Sequence, residues 1–191
     1  MASINFANAQ FDENNSIYLT TELNLGNYIG LDLNLNYVYK DKFSFYIGYT
    51  GNLRHAKSQP KDLTSPFSGI WVSDLDSPYD QFENYQIGLG KIYDLNENGT
   101  IRINLSIGIG YTTIREPENW QTNYNVLLSD NYTWNYKKRN TVSLIINPKI
   151  EFPFTKFYGL TISPMVQLNT DRIYYGIGIG QMIGLLKTRK N

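Results

Sequence analysis

Ile101-Arg-Ile-Asn-Leu-Ser-Ile-Gly-Ile-Gly-Tyr111 alternates a large apolar side chain with a small or polar one along its whole length. A period of two places successive side chains on opposite faces of an extended strand. Four other stretches repeat the pattern: Ile29–Tyr37, Phe43–Tyr49, Tyr158–Ile162 and Tyr175–Ile179. One face of each is Ile, Leu, Phe and Tyr. The other is Gly, Ser, Thr and Asn with an occasional charge. A water-facing sheet normally carries Lys, Glu and Thr, so a face this small and mildly polar suits the crowded interior of a narrow barrel.

Phasing the alternation along all 191 residues predicts eight strands. They run over about 16–25, 29–40, 43–54, 84–93, 100–114, 140–152, 157–168 and 173–185, with Asp41-Lys42 as a tight hairpin turn and Asp94–Gly99 as a second turn. Long segments, about 55–83 and 115–139, interrupt the series, and Asn131–Tyr136 reads as a strand extending past the membrane. Odd-numbered connections include both long segments, whereas even-numbered ones are all short. In an up-and-down barrel the two kinds fall on opposite rims, as in outer-membrane barrels. Residues 1–15 read as an irregular lead-in. Ala7-Asn8-Ala9 before Gln10 has the small-x-small form of a signal-peptidase site, which makes this stretch a candidate remnant of an export signal. The expectation is an all-β, closed, eight-stranded antiparallel transmembrane barrel forming a single domain over 16–191.

Composition removes several function classes. Seventeen Lys and Arg balance 17 Asp and Glu, so no basic surplus exists to meet nucleic acid. The absence of Cys excludes thiolate catalysis, disulfides and cysteine metal sites, and no cofactor or metal is expected. No apolar run reaches the roughly 18 residues of a spanning helix, and strands that alternate leave none.

Alternation alone does not say which face points inward. An eight-stranded barrel encloses a space just wide enough for side chains to fill. The Ile, Leu, Phe, Tyr and Val face is too bulky for it, whereas Gly48, Gly88, Gly90, Gly108, Gly110, Gly159, Gly176, Gly178 and Gly180 on the other face suit it. The apolar face is therefore expected to meet lipid. Aromatic residues cluster near strand ends: Tyr37, Tyr39, Phe43, Phe45, Tyr93, Phe152, Phe154, Phe157 and Tyr158 toward the short-turn rim, and Tyr28, Tyr49, Tyr85, Tyr111 and Tyr175 toward the other. Two such belts match the two membrane–water interfaces.

In strand count, phasing, belts and loop asymmetry, residues 16–186 resemble the small eight-stranded outer-membrane barrels of Gram-negative bacteria, the OmpA transmembrane domain and OmpX being the familiar types. The resemblance is architectural, without a diagnostic motif, and implies residence in the bacterial outer membrane with the long loops outside. The chain departs from that pattern at its last strand, which closes Leu185-Leu-Lys-Thr-Arg-Lys-Asn191 without a terminal aromatic residue.

On the lumen face the phasing gathers Glu22, Asp32, Arg54, Arg102, Lys149 and Glu151. Reflection through the first turn puts Glu22 opposite Asp32, with Arg54 as their neutralising partner, and Arg102, Lys149 and Glu151 meet toward the short-turn rim. Such charges persist in an interior when paired. They form either ion-pair clusters that plug the lumen or, at Glu22 and Asp32, a cation or acid–base site. A plugged lumen argues against a diffusion pore, which needs about 16–18 strands.

Three further features carry chemistry. His55, the sole histidine, opens the first long segment with Ser58, Asp76, Ser77 and Asp80 nearby; small outer-membrane lipid-modifying enzymes use such groups, although no diagnostic spacing is present. Pro148 and Pro164 fall within adjacent strands, where each removes a ladder donor, so they mark either a bulge or a lateral seam. The long loops hold Trp71, Trp120 and Trp134, residues favoured as binding anchors. The leading expectation is a non-enzymatic barrel, embedded in membrane lipid, whose aromatic loops bind or shield at the cell surface, with a protein or glycan partner or as a subunit of an envelope complex. A lipid-modifying enzyme using His55 and a lipocalin-like or lateral-access carrier of an apolar ligand are the alternatives.

Overall fold

A computed structural model describes residues 15–64, 78–123 and 131–186. Its strands are β1 (Ser16–Gly26), β2 (Ile29–Tyr39), β3 (Phe43–His55), β4 (Tyr79–Asp94), β5 (Arg102–Thr122), β6 (Tyr132–Ile146), β7 (Lys149–Pro153), β8 (Tyr158–Leu168) and β9 (Ile173–Leu185). Successive strands pair antiparallel except β6 and β7, which share one position of the ring between β5 and β8, and β9 returns to β1. The result is an eight-position up-and-down barrel with no free edge along the wall.

The side-chain alternation is kept in register around the ring. Leu35 faces Ile47, Ile47 faces Ile87 and Ile87 faces Ile109, all on the outer surface. Leu31 is 59 % exposed, Ile109 55 %, Val142 67 % and Ile179 56 %. Buried residues on the inner face are Thr20, Asn34, Asn36, Thr50, Asn84, Gln86, Asn104, Thr112 and Gln167. An apolar girdle of this extent on a protein in water would be an aggregation surface; in a bilayer it is the solvated face. On β5 the girdle runs from Ile103 to Tyr111, about 26 Å of strand, enough when tilted to cover most of an apolar band about 25 Å tall.

The interior is a polar column between two apolar plugs. Tyr18, Val38, Ile92, Met182 and Leu186 close the short-turn end, and Tyr28, Phe82, Ile114, Ile145, Met165 and Tyr174 close the other. Tyr28 thus lies inside, packed against Phe82 and Tyr174 at ring distances of 5.8 and 6.2 Å, and not in the outer belt. The turn that carries it folds its ring over the lumen. Between the plugs Tyr46 lies across two glycines in register with it, Gly88 and Gly108. A Cβ at either would meet the Tyr46 ring or hydroxyl within 2.4 Å, so glycine here makes room for an aromatic side chain in a narrow lumen.

The β2–β3 turn is centred on Lys40 and Asp41, one residue earlier than the sequence pattern suggests. Both have positive φ, 52° and 56°, and Lys42 N–H donates to Tyr39 O at 3.1 Å. This is the primed turn whose twist matches a hairpin. β5 and β6 continue past the wall as a two-stranded ribbon, paired out to Thr122 and Tyr132 with an irregularity between Glu118 and Gln121, where Asn119 takes a φ of 58°.

Candidate functional site

Three groups of side chains stand out: a charged column in the lumen, an ionic clamp at its long-loop mouth, and an aromatic shelf on the ribbon. In the lumen, Arg102 Nε donates to Glu151 Oε2 at 2.6 Å, and Glu151 Oε1 accepts from the Tyr18 hydroxyl at 2.9 Å and from Asn104 Nδ2 at 3.2 Å. Lys149 leaves this group. Its Nζ reaches Glu22 Oε1 at 3.0 Å, and Ser163 Oγ donates to Glu22 Oε2 at 2.6 Å. Glu22 and Asp32 are direct register partners, and Asp32 Oδ1 accepts from Thr50 Oγ1 at 3.1 Å and Gln86 Nε2 at 3.0 Å. These carboxylates are essentially fully buried. They are held by the multiple donors that make a buried charge tolerable, and they fill the lumen rather than line a channel. Among the described residues no group of three or more His, Cys, Asp or Glu is arranged to hold a metal ion.

Arg54 corrects one expectation. It sits at the mouth, too far along β3 to reach Glu22 or Asp32, and pairs with Asp80 directly opposite on β4. Asp80 Oδ2 accepts from Arg54 Nε and Nη2 at 2.9 and 2.7 Å and from Arg172 Nη1 at 3.1 Å. Arg172 also donates to the Tyr28 hydroxyl at 2.6 Å and pairs with Glu116, which pairs with Arg139. Arg139 reaches Asp171 at 3.3 Å. The Arg54 guanidinium stacks over Tyr28 at 4.4 Å. The clamp therefore ties β3, β4, β5, β6 and the β8–β9 turn over an aromatic floor.

On the ribbon, Trp120 and Trp134 pack with ring centres 5.4 Å apart, and Trp120 meets Tyr132 edge-on at 6.4 Å. Residues 56–64 dock beside them. Ser58 Oγ donates to Pro117 O at 2.7 Å and accepts from Trp120 Nε1 at 3.3 Å. The Tyr132 hydroxyl contacts Asp62, and Thr64 N–H donates to Asn131 Oδ1 at 2.8 Å. The two long loops are thus cross-tied through these contacts. Trp71, Asp76 and Ser77 lie outside the described residues.

His55 is exposed at the end of β3, and its ring contacts Tyr79 at 5.3 Å. Of the groups suggested as its partners, the two among the described residues are otherwise engaged: Ser58 bonds to Pro117 and Trp120, and Asp80 is clamped by two arginines. Pro148 lies in the gap between β6 and β7, and Pro164 lies on the outer face of β8. The register is unchanged across them, from Ile146↔Val166 to Ile150↔Ile162, so there is no bulge.

No protein-family model matches the chain, and no curated protein matches it by sequence. Its structure is similar to Ail, the attachment invasion locus protein of Yersinia pestis, at a TM-score of 0.51 and 11 % identity, covering 90 % of this chain and 97 % of that one. It is also similar to the N-terminal β-barrel domain of Pseudomonas aeruginosa OprF, at a TM-score of 0.50 and 12 % identity, covering 90 % and 98 %. This is the fold of the small eight-stranded outer-membrane barrels. Within that fold the outward girdle is the surface that meets lipid, and among the described residues the long-loop ribbon is the largest structure not needed to build the wall.

Sequence reasoning missed Arg172, Glu116 and Arg139. Glu116 and Arg139 lie in the parts of β5 and β6 that the alternation assigns to a loop, and Arg172 lies in the β8–β9 turn, so a period of two does not report their direction. The available signal was the charge density of Arg115–Glu118, Lys137–Arg139 and Asp171-Arg172, and their pairing depends on which strands the ring brings together.

Proposed function

We propose that this chain is a non-enzymatic integral protein of the bacterial outer membrane whose long-loop rim faces the cell exterior and binds a carbohydrate partner, alone or within a larger envelope complex. The observation that carries the reading is the Trp120–Trp134–Tyr132 shelf, built on a rigid β-ribbon and braced by residues 56–64. Flat aromatic faces on a rigid support bind with little loss of side-chain freedom, and sugar rings stack on such faces through their C–H groups. Lys57, Lys61, Lys137 and Lys138 are exposed around the same rim, which favours an anionic glycan. Ail has been crystallised with the heparin analogue sucrose octasulfate, and that compound is a suitable probe.

Titration of the detergent-folded protein with sucrose octasulfate, followed by tryptophan fluorescence, is expected to shift the emission. Replacing Trp120 and Trp134 together by Ala is expected to weaken the binding by about tenfold or more, in line with loss of hot-spot residues, while the barrel stays folded. Binding that is unchanged in the double variant, or no binding to anionic or neutral oligosaccharides by the unaltered protein, rules out the carbohydrate reading.

A further inference from the structure

The wall of the barrel is not equally strong all the way round. Between β6 and β8 only residues 144–146 and 166–168 pair, and below them β7 pairs through 150–153 with 159–162. Continuing this register across the gap places Pro148 directly opposite Pro164. Main-chain groups in an antiparallel ladder point alternately to the two neighbours. Asn147 N–H donates to Ser106 O of β5 at 3.0 Å, so the main chain of the next residue, Pro148, turns toward β8 and Pro164. The two prolines therefore meet at a position where ordinary residues would exchange two N–H···O bonds, and neither can donate. In β1–β2, β2–β3, β3–β4, β4–β5, β8–β9 and β9–β1 the paired run is continuous.

The flanking side chains place this gap at hydrocarbon depth. Ile146, Ile150, Ile162 and Val166 surround the prolines on the outer face, where no water can substitute for missing main-chain bonds. On the inner face the adjacent residues include Lys149 and Ser163, one on each side of the seam. Both bind the same carboxylate, Glu22 of β1, Lys149 at 3.0 Å to Oε1 and Ser163 at 2.6 Å to Oε2. The main-chain ties lost at the proline pair are thus replaced from inside by a side chain on a third strand.

We propose that the β6/β7–β8 seam is a lateral gate in the barrel wall, hinged at Pro148 and Pro164 and latched by Glu22. Opening separates Lys149 from Ser163 and joins the polar lumen to the bilayer along this one line. Cross-strand hydrogen bonds next to the gap open more often than those elsewhere at the same depth, and two changes act in opposite directions. Restoring the missing donors closes the gate, and removing the latch opens it.

The test is amide hydrogen exchange, read by NMR on the protein in phospholipid nanodiscs. The amides of Ile146, Ile150, Ile162 and Val166 are expected to exchange at least about tenfold faster than those of Leu35, Ile47 and Ile87. The double replacement Pro148→Ile and Pro164→Ile is expected to slow them to the comparison rate, and Glu22→Gln to accelerate them. If Glu22→Gln does not fold, Ser163→Ala removes a single tie and is expected to accelerate them by a smaller factor. Seam amides that exchange at the comparison rate, or remain fast after both prolines are replaced, overturn the gate. Seam amides unmoved by either latch variant overturn the role of Glu22.

Discussion

Lys149 shows how much a single buried charge decides. Its ammonium is the only cation within ion-pairing distance of Glu22 among the described residues, and both groups are buried in the lumen. Replacing Lys149 by Met leaves a carboxylate buried without its counter-ion, a change that typically costs about 3–5 kcal/mol. Denaturant unfolding of the protein in lipid is expected to show that loss for Lys149→Met, and to show most of it recovered in the Lys149→Met, Glu22→Gln double variant. A single variant as stable as the parent would mean that Glu22 is not charged or not sequestered there. At this scale the sequence was informative wherever a short turn links two strands. Reflection through residues 26–28 placed Glu22 beside Asp32, and the two are register partners. Arg54 was misassigned because Asp80, its partner, falls at the start of β4 in a stretch that the alternation assigns to a loop.

At the level of elements, turn chemistry and strand length were the parts the pattern described least well. Lys40 and Asp41 both adopt positive φ, a conformation that disfavours side chains with a Cβ except Asn and Asp. The pair Lys40→Asn and Asp41→Gly supplies the residues this turn prefers and is expected to stabilise the barrel by about 0.5–1 kcal/mol. A fall in stability, measured by the same unfolding, would mean the turn is of another type. β5 extends to Thr122, well beyond the girdle, because Pro117, Trp120 and Gln121 pack and pair with β6 outside the bilayer. Its outer part has no lipid-facing side, so the alternation that reveals the lower part fades there. β7 is separated from β6 because Pro148 interrupts the ladder, although both halves hold a single register, which is why the sequence pattern shows one strand where the ring has two segments in one position.

For the whole molecule, one physical asymmetry organises everything else: the wall is thin, the inside is narrow and polar, and the outside is broad and apolar. Strand count, order, closure and the direction of the two faces were all legible because a period of two, sustained over eight strands, leaves only the choice of which face is inside. The volume of nine glycines against a face of branched aliphatics settles that choice. What the sequence could not convey is the cross-barrel pairing of charges and the docking of one long loop on the other, which depend on contacts between residues far apart in the chain. Since the chain has no cysteine, single cysteines carrying a nitroxide label can be placed at Leu33, Ile87, Ile109 and Ile179, one position at a time, in bilayer-reconstituted protein. Collision rates measured with oxygen and with a water-soluble nickel chelate are predicted to be high with oxygen and low with nickel at all four. High nickel and low oxygen collision at these positions would place the aliphatic face in water and contradict the account.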